Sequence, residues 1–226
     1  MSLPSAGAAA QTGGDTVTAD SDGWWSQTDV GVATPDGAIT PPLPRSPLIP
    51  AGSLPVSATL GQPQTDAAIG ITVPEGMQAT KLVMTLALVD ANGAESNPSQ
   101  AKLQACPITS FWGGTDGGKW ADRPEADCTK AAAEGSRNED GSWTFDLTPI
   151  AALWSDEFEA VGQNGVLITE SAGPPATFQI AFAGAPDGVT FDAELTEESS
   201  GAGAFDVPVA SGGSLSGGGS FDTSPS

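Results

Sequence analysis

Apolar positions along this chain recur mostly at period two, the spacing that puts alternate side chains on one face of a β-strand. Residues 81–89 are the clearest case. Leu82, Met84, Leu86 and Leu88 share one face, and Val83 and Val89 fall on the other. Such near-continuous apolarity predicts a central strand. Residues 67–73 alternate as a half-buried strand that turns at Pro74-Glu75-Gly76. Further strands are predicted at residues 101–109, at 142–147 with Trp143, Phe145 and Leu147 on one face, and at 166–169, 177–182 and 189–195. Near the start, residues 16–19 lead into Gly23-Trp24-Trp25-Ser26. Adjacent residues of a strand face opposite ways, so one of the two tryptophans must point outward, and the pattern does not say which. The proline-rich residues 35–55 predict an extended edge or covering segment with little ladder pairing. Only residues 148–154 suggest a helix, with Thr148 as its N-cap, Pro149 in the first turn and Trp154 plugging one end of the core.

Seven or eight short strands separated by turn signals, with no fixed-period repeat, predict an all-β fold. The expected architecture is an antiparallel, jelly-roll-like β-sandwich with one short helix, spanning residues 16–196. Residues 1–15 and the Gly/Ser-rich residues 197–226 are expected to be flexible ends. The opening residues have neither a basic region nor a long apolar run. The chain is therefore expected to start after a removed signal and to continue past its tail toward an anchor.

Composition narrows the function more than the fold. Gly (29) and Pro (19) suit a turn-rich sheet protein, and no apolar run approaches the roughly 20 residues of a membrane span. Acids outnumber bases 28 to 7, a formal charge of −21. That charge repels phosphate backbones and anionic lipid, so neither nucleic acid nor membrane insertion is expected. Histidine is absent, which removes Ser-His-Asp and Cys-His relays and His-ligated zinc. Phosphate loops and nucleotide fingerprints are missing, and no carboxylate pair stands out as a hydrolytic dyad. The expectation is a protein that is not an enzyme. Cys106 and Cys128, 22 positions apart, are expected to pair in an oxidising compartment; closing such a loop is worth roughly 3 kcal/mol in the chain-entropy view.

Two clusters could carry binding. Trp112 and Trp120 lie in the Gly-rich cysteine loop beside Asp116, Lys119, Asp122 and Arg123. Flat aromatic faces next to polar groups suit the stacking of sugar rings, and binding residues concentrate on loops of rigid scaffolds. The alternative is that both rings fill space beneath the loop. Asp90, Asn92 and Glu95 form a D-x-N-x-x-E run of hard oxygen donors, the type a structural calcium ion would need. Asp20 and Asp22 offer a lesser set around an expected turn. Neither run has the spacing of a twelve-residue calcium loop, and turn chemistry accounts for Asn92-Gly93 and Asp22-Gly23 without a metal.

The order of the elements resembles that of DNRLRE-type domains. The resemblance rests on AKLQACPITSFW, KWADRP, WTFDLTPIAALW and NGVLI, preceded by DSDGWWS and AAIGITVPEGMQATKLVMTLAL, and covers roughly residues 16–183. The matching positions are Trp112, Trp120 with Pro124, Asp146 with Thr148 and Trp154, and Asn164 to Ile168. The chain lacks the DNRLRE-like signature itself and adds the cysteine pair. The resemblance implies a jelly-roll-like module of secreted or cell-surface bacterial proteins, a family in which some related modules bind acidic polysaccharide. The functional expectation is a non-catalytic extracellular module binding carbohydrate or a cell-envelope polymer. The alternative is a structural or adhesive ectodomain that spaces or decorates the envelope, with a polysaccharide hydrolase as the lesser one.

Overall fold

A computed structural model describes residues 16–27, 49–89, 95–154 and 165–197. They form eleven strands and one helix. The strands are β1 (Thr18–Ser26), β2 (Ser53–Thr59), β3 (Gln62–Thr72), β4 (Met77–Leu86), β5 (Leu103–Pro107), β6 (Thr115–Lys119), β7 (Ala133–Arg137), β8 (Trp143–Asp146), β9 (Gly165–Glu170), β10 (Phe178–Ala183) and β11 (Val189–Glu197). The helix α1 (Thr148–Trp154) lies between β8 and β9. Among the described residues, no helix is long and apolar enough to cross a membrane.

The strands join in the order β10-β2-β3-β9-β5-β7-β8-β4-β11, with β1 on the free edge of β3 and β6 beyond it. The ladder curls back on itself. The residues after β4 return to β10 through the Leu88–Phe182 bridge, and the Val89 N–H donates to the Ala181 carbonyl at 3.0 Å. The two halves of the curled sheet thus enclose one interior, as a sandwich does. One pairing departs from the antiparallel expectation: β6 runs parallel to β1.

Period-two patterning explains what fills that interior. Leu82, Met84 and Leu86 of β4 point inward, as do Trp143 and Phe145 of β8, Val166 and Ile168 of β9, and Phe178, Ile180 and Phe182 of β10. Strand β4 is central, with β8 on one edge and β11 on the other. Ile150, Ala151 and Trp154 of α1 close the end of the core. Asp146 rather than Thr148 caps this helix. Its Oδ1 accepts the Thr148 N–H at 3.1 Å, while the Thr148 hydroxyl accepts the Leu82 N–H at 3.0 Å and ties the helix to β4.

The proline-rich expectation holds less well. Residues 35–48 lie outside the described residues, but residues 53–59 form β2, an interior strand between β10 and β3. Pro55 pairs with Ala181 of β10, while the ladder to β3 begins only at Ser57–Thr65. At Pro55 the strand is laddered on one edge, so its missing N–H need not break the sheet. Apart from Glu197, which ends β11, the expected flexible ends fall outside the described residues, as do Asn92 and Gly93.

Candidate functional site

Strand β3 has two faces with different companions. Ala67, Ile69 and Ile71 enter the main core, whereas Ala68 joins Trp25, Ile108, Trp112 and Leu167 in a second, smaller apolar cluster on the outside of the sheet. The loop between the two cysteines lies over this outer face. Trp24 and Trp25 divide between the two clusters: Trp24 packs against the main core and Trp25 is buried beneath the loop.

The loop is fastened at its base by the Cys106–Cys128 disulfide, whose Cα atoms are 4.7 Å apart. A short ladder continues from there. Asp127 N–H donates to the Pro107 carbonyl at 3.0 Å, Thr109 N–H to the Glu125 carbonyl at 2.8 Å, and Ile108 bridges Ala126. Trp112 then packs edge-on against Trp25, with ring centroids 5.9 Å apart. Next the Gly-rich run becomes β6. Gly23 and Gly118 let the two backbones close: a Cβ on Gly23 would meet Thr115 N at 2.8 Å, and one on Gly118 would collide with the Trp25 ring. These glycines serve close approach of backbone to backbone and backbone to ring.

The last fastening is electrostatic. Asp66, on the same outer face of β3 as Ala68, is 0% exposed, and its Oδ2 pairs with Nη1 of Arg123 from the loop. The Arg123 guanidinium also lies 4.0 Å above the Trp120 ring, a cation–π stack. Burial pushes the Asp66 carboxyl above its ordinary range; the Arg123 charge and the Thr169 hydroxyl pull the other way and do not cancel it. Asp66 Oδ1 is buried and makes no hydrogen bond of ordinary geometry. Nearby, Glu170 is also raised, by its own burial and then by the Asp66 charge.

The structure therefore gathers the expected loop residues, but in different roles. Trp112 is buried at 5% exposure, while Trp120 is half-buried beneath Arg123. The Asp116 carboxylate accepts the Trp24 indole N–H at 2.7 Å, which holds β6 to β1. Lys119 and Asp122 are exposed. Phe111 is 83% exposed, and sequence reasoning passed over it. Its signal was adjacency: with Trp112 turned inward, the neighbouring ring points out.

Of the calcium candidates, Asp90 and Asn92 lie outside the described residues. Glu95 pairs with Arg137 at 3.5 Å. Asp20 and Asp22 sit within β1, not at a turn, and have structural partners. Asp20 accepts the Thr72 hydroxyl at 2.5 Å and Asp22 accepts the Ala185 N–H at 2.6 Å. Among the described residues, no group of three His, Cys, Asp or Glu is arranged to hold a metal ion.

In chemical terms, the loop offers exposed and half-exposed rings on a backbone that is covalently, sterically and electrostatically restrained. Beneath it, the fully buried Asp66 of β3 is engaged by Arg123 of the loop. Comparison with protein-family models and with curated proteins gives no match.

Proposed function

We propose that this chain is a non-catalytic extracellular module whose disulfide-tied loop binds a carbohydrate or other polymer of the cell envelope. The observation that carries this reading is a loop fastened at its base, middle and far side that still leaves Phe111 exposed. A large aromatic ring kept in water on a restrained backbone is suited to stacking on a sugar face, and restraint lowers the entropy cost of binding. Asp116, Asp122 and Lys119 stand along the same loop as hydrogen-bonding partners. The disulfide supports an oxidising location such as the cell exterior. The formal charge of −21 favours a neutral polymer over a polyanion, because like-charged chains repel.

Tryptophan fluorescence, titrated with neutral and acidic polysaccharides, tests the reading. A saturable change with a neutral glycan, weakened at least about tenfold by Phe111→Ala through loss of one stacked ring, is the expected result. Silence across a broad panel would overturn it. One observation favours the second reading, a structural or adhesive ectodomain: Trp112 is spent on packing against Trp25. Self-association or capture by an envelope fraction, without glycan binding, would support that alternative.

A further inference from the structure

Among the ion pairs of the described residues, Asp66–Arg123 has the one carboxylate that is wholly removed from solvent. It also joins two parts of the molecule that are otherwise separate in kind. Asp66 belongs to a central strand; Arg123 belongs to the loop, 12 positions after Phe111, with its guanidinium stacked on Trp120. The disulfide holds only the loop's base, and the Trp25–Trp112 contact holds only its near arm. The turn Trp120–Asp122 and Arg123 lies between the pairing of Lys119 with Ser26 and the contacts of Glu125 with Thr109 and Ser110, and this pair fastens it to β3.

We propose that the Asp66–Arg123 pair is an acid-released latch that fixes the Trp120 arm of the loop in its presented position. The consequence for binding rests on the function proposed above; the latch itself does not. The bond is charge-assisted while Asp66 is ionised. When the carboxylate takes a proton, the guanidinium keeps its charge but loses its counter-ion, and it gains by turning to water. Arg123 is 30% exposed already, so its path outward is short. The Trp120 ring loses the cation over its face as Arg123 leaves. The raised carboxyl of Asp66 supports release above the pH at which ordinary aspartates titrate.

The surroundings define what else could titrate. From β9, Thr169 and Glu170 face Asp66, and Glu170 feels the Asp66 charge. From β1, Trp25 is in register with Asp66 and brings no charge. Along the loop, Lys119, Asp122 and Glu125 flank Arg123 and are exposed. Glu170 is therefore the acid that must be separated from Asp66.

Amide hydrogen exchange of the intact chain, followed across an acid titration and corrected for intrinsic exchange, tests the latch. The expected result is exchange at residues 120–123 faster by about tenfold or more at acid pH, the scale of one charge-assisted hydrogen bond. Amides of β3 and β9 should hold their protection through the same step. Asp66→Asn should exchange fast at these sites already at neutral pH and lose the step, whereas Glu170→Gln should keep it. If Asp66→Asn does not fold, Arg123→Gln, altered at a partly exposed position, should likewise abolish the step. A step that survives either of these variants, or no step in the unaltered chain, overturns the latch. Glycan titration at both pH values separates the two claims. A latch step without any glycan binding leaves the latch standing and removes the binding reading, while binding that ignores pH and Asp66→Asn contradicts the latch's role at the site.

Discussion

Leu60 is a residue doing a glycine's work. With φ of 52°, it stands beside Gly61 at 75° in the two-residue turn that joins β2 to β3. Positive φ at both positions is the mirror-image hairpin turn, in which Asn-Gly is the favoured pair. Leu60 is also 73% exposed, so its side chain earns little burial in return. Leu60→Asn should therefore stabilise the protein by about 0.5–1 kcal/mol, seen as a raised urea midpoint with unchanged slope. A fall in midpoint would mean that the leucine makes a contact that matters. The turn was not legible in the sequence for the same reason: Leu-Gly carries no hairpin signature, and β2 followed a run of prolines. The Asp66–Arg123 pair was hidden in another way. A sequence separation of 57 leaves no local pattern, and an aspartate in an apolar stretch reads like any other acid. Removing one member should be costly. Arg123→Gln leaves a buried carboxylate unpaired and should lose about 3 kcal/mol at neutral pH, toward the low end for buried pairs because Arg123 is partly exposed. Adding Asp66→Asn should recover much of that loss, measured as a double-mutant cycle. The sign with pH follows from the raised carboxyl. A folded-state value above the unfolded one means the folded chain binds the proton more tightly in that window. Measured against the unfolded chain, the net contribution of Asp66 is therefore present at low pH and lost as pH rises through its folded value, whereas the part due to Arg123, whose charge pulls the carboxyl down, is the part that acid removes. The deficit of Arg123→Gln should accordingly shrink on acidification.

Elements with a clear alternation were legible, and those held by backbone geometry were not. Strands β4, β8, β9 and β10 fall close to where their apolar stretches predict, and the inward residues of β4 and β8 are among the expected ones. Strands β2, β6 and β7 were missed. TDGGK and AEGSR offer little hydrophobic alternation, while in SLPVSAT the period-two set Leu54, Val56 and Ala58 was obscured by Pro55 and the proline run before it. Strand β6 is the instructive case. Its glycines read as loop flexibility, yet they let a strand lie against β1 and the ring of Trp25. Gly118→Ala should force the backbone off that ring and cost about 1–3 kcal/mol, the range for overpacking. Trp24 fluorescence should change with it, because Asp116 would no longer reach its indole. An alanine tolerated with wild-type melting and spectrum would show that the contact has room to spare.

At the scale of the molecule, the curled sheet makes two places to bury apolar side chains, and the chain uses both. The interior holds the main core and gives the fold its identity. The outer face of β1, β3 and β9 carries the second cluster under the cysteine loop. Composition and the cysteine pair pointed to that loop, and the disulfide was expected. The division of labour within it was not legible, since which ring turns inward depends on contacts between distant segments. The loop is thus a fastened appendage on the outside of the sheet, and this separateness is what would let the proposed binding face work without endangering the fold.

Hydrogen exchange with the disulfide intact and reduced, or in the Cys106→Ser, Cys128→Ser double variant, tests that separateness most directly. The expected result is loss of protection across residues 107–128 while β3, β4 and β9 stay protected, with global melting at a distinctly higher denaturant concentration than loop opening. Loss of loop and sheet protection together, in one transition, would contradict it and make the loop part of the core.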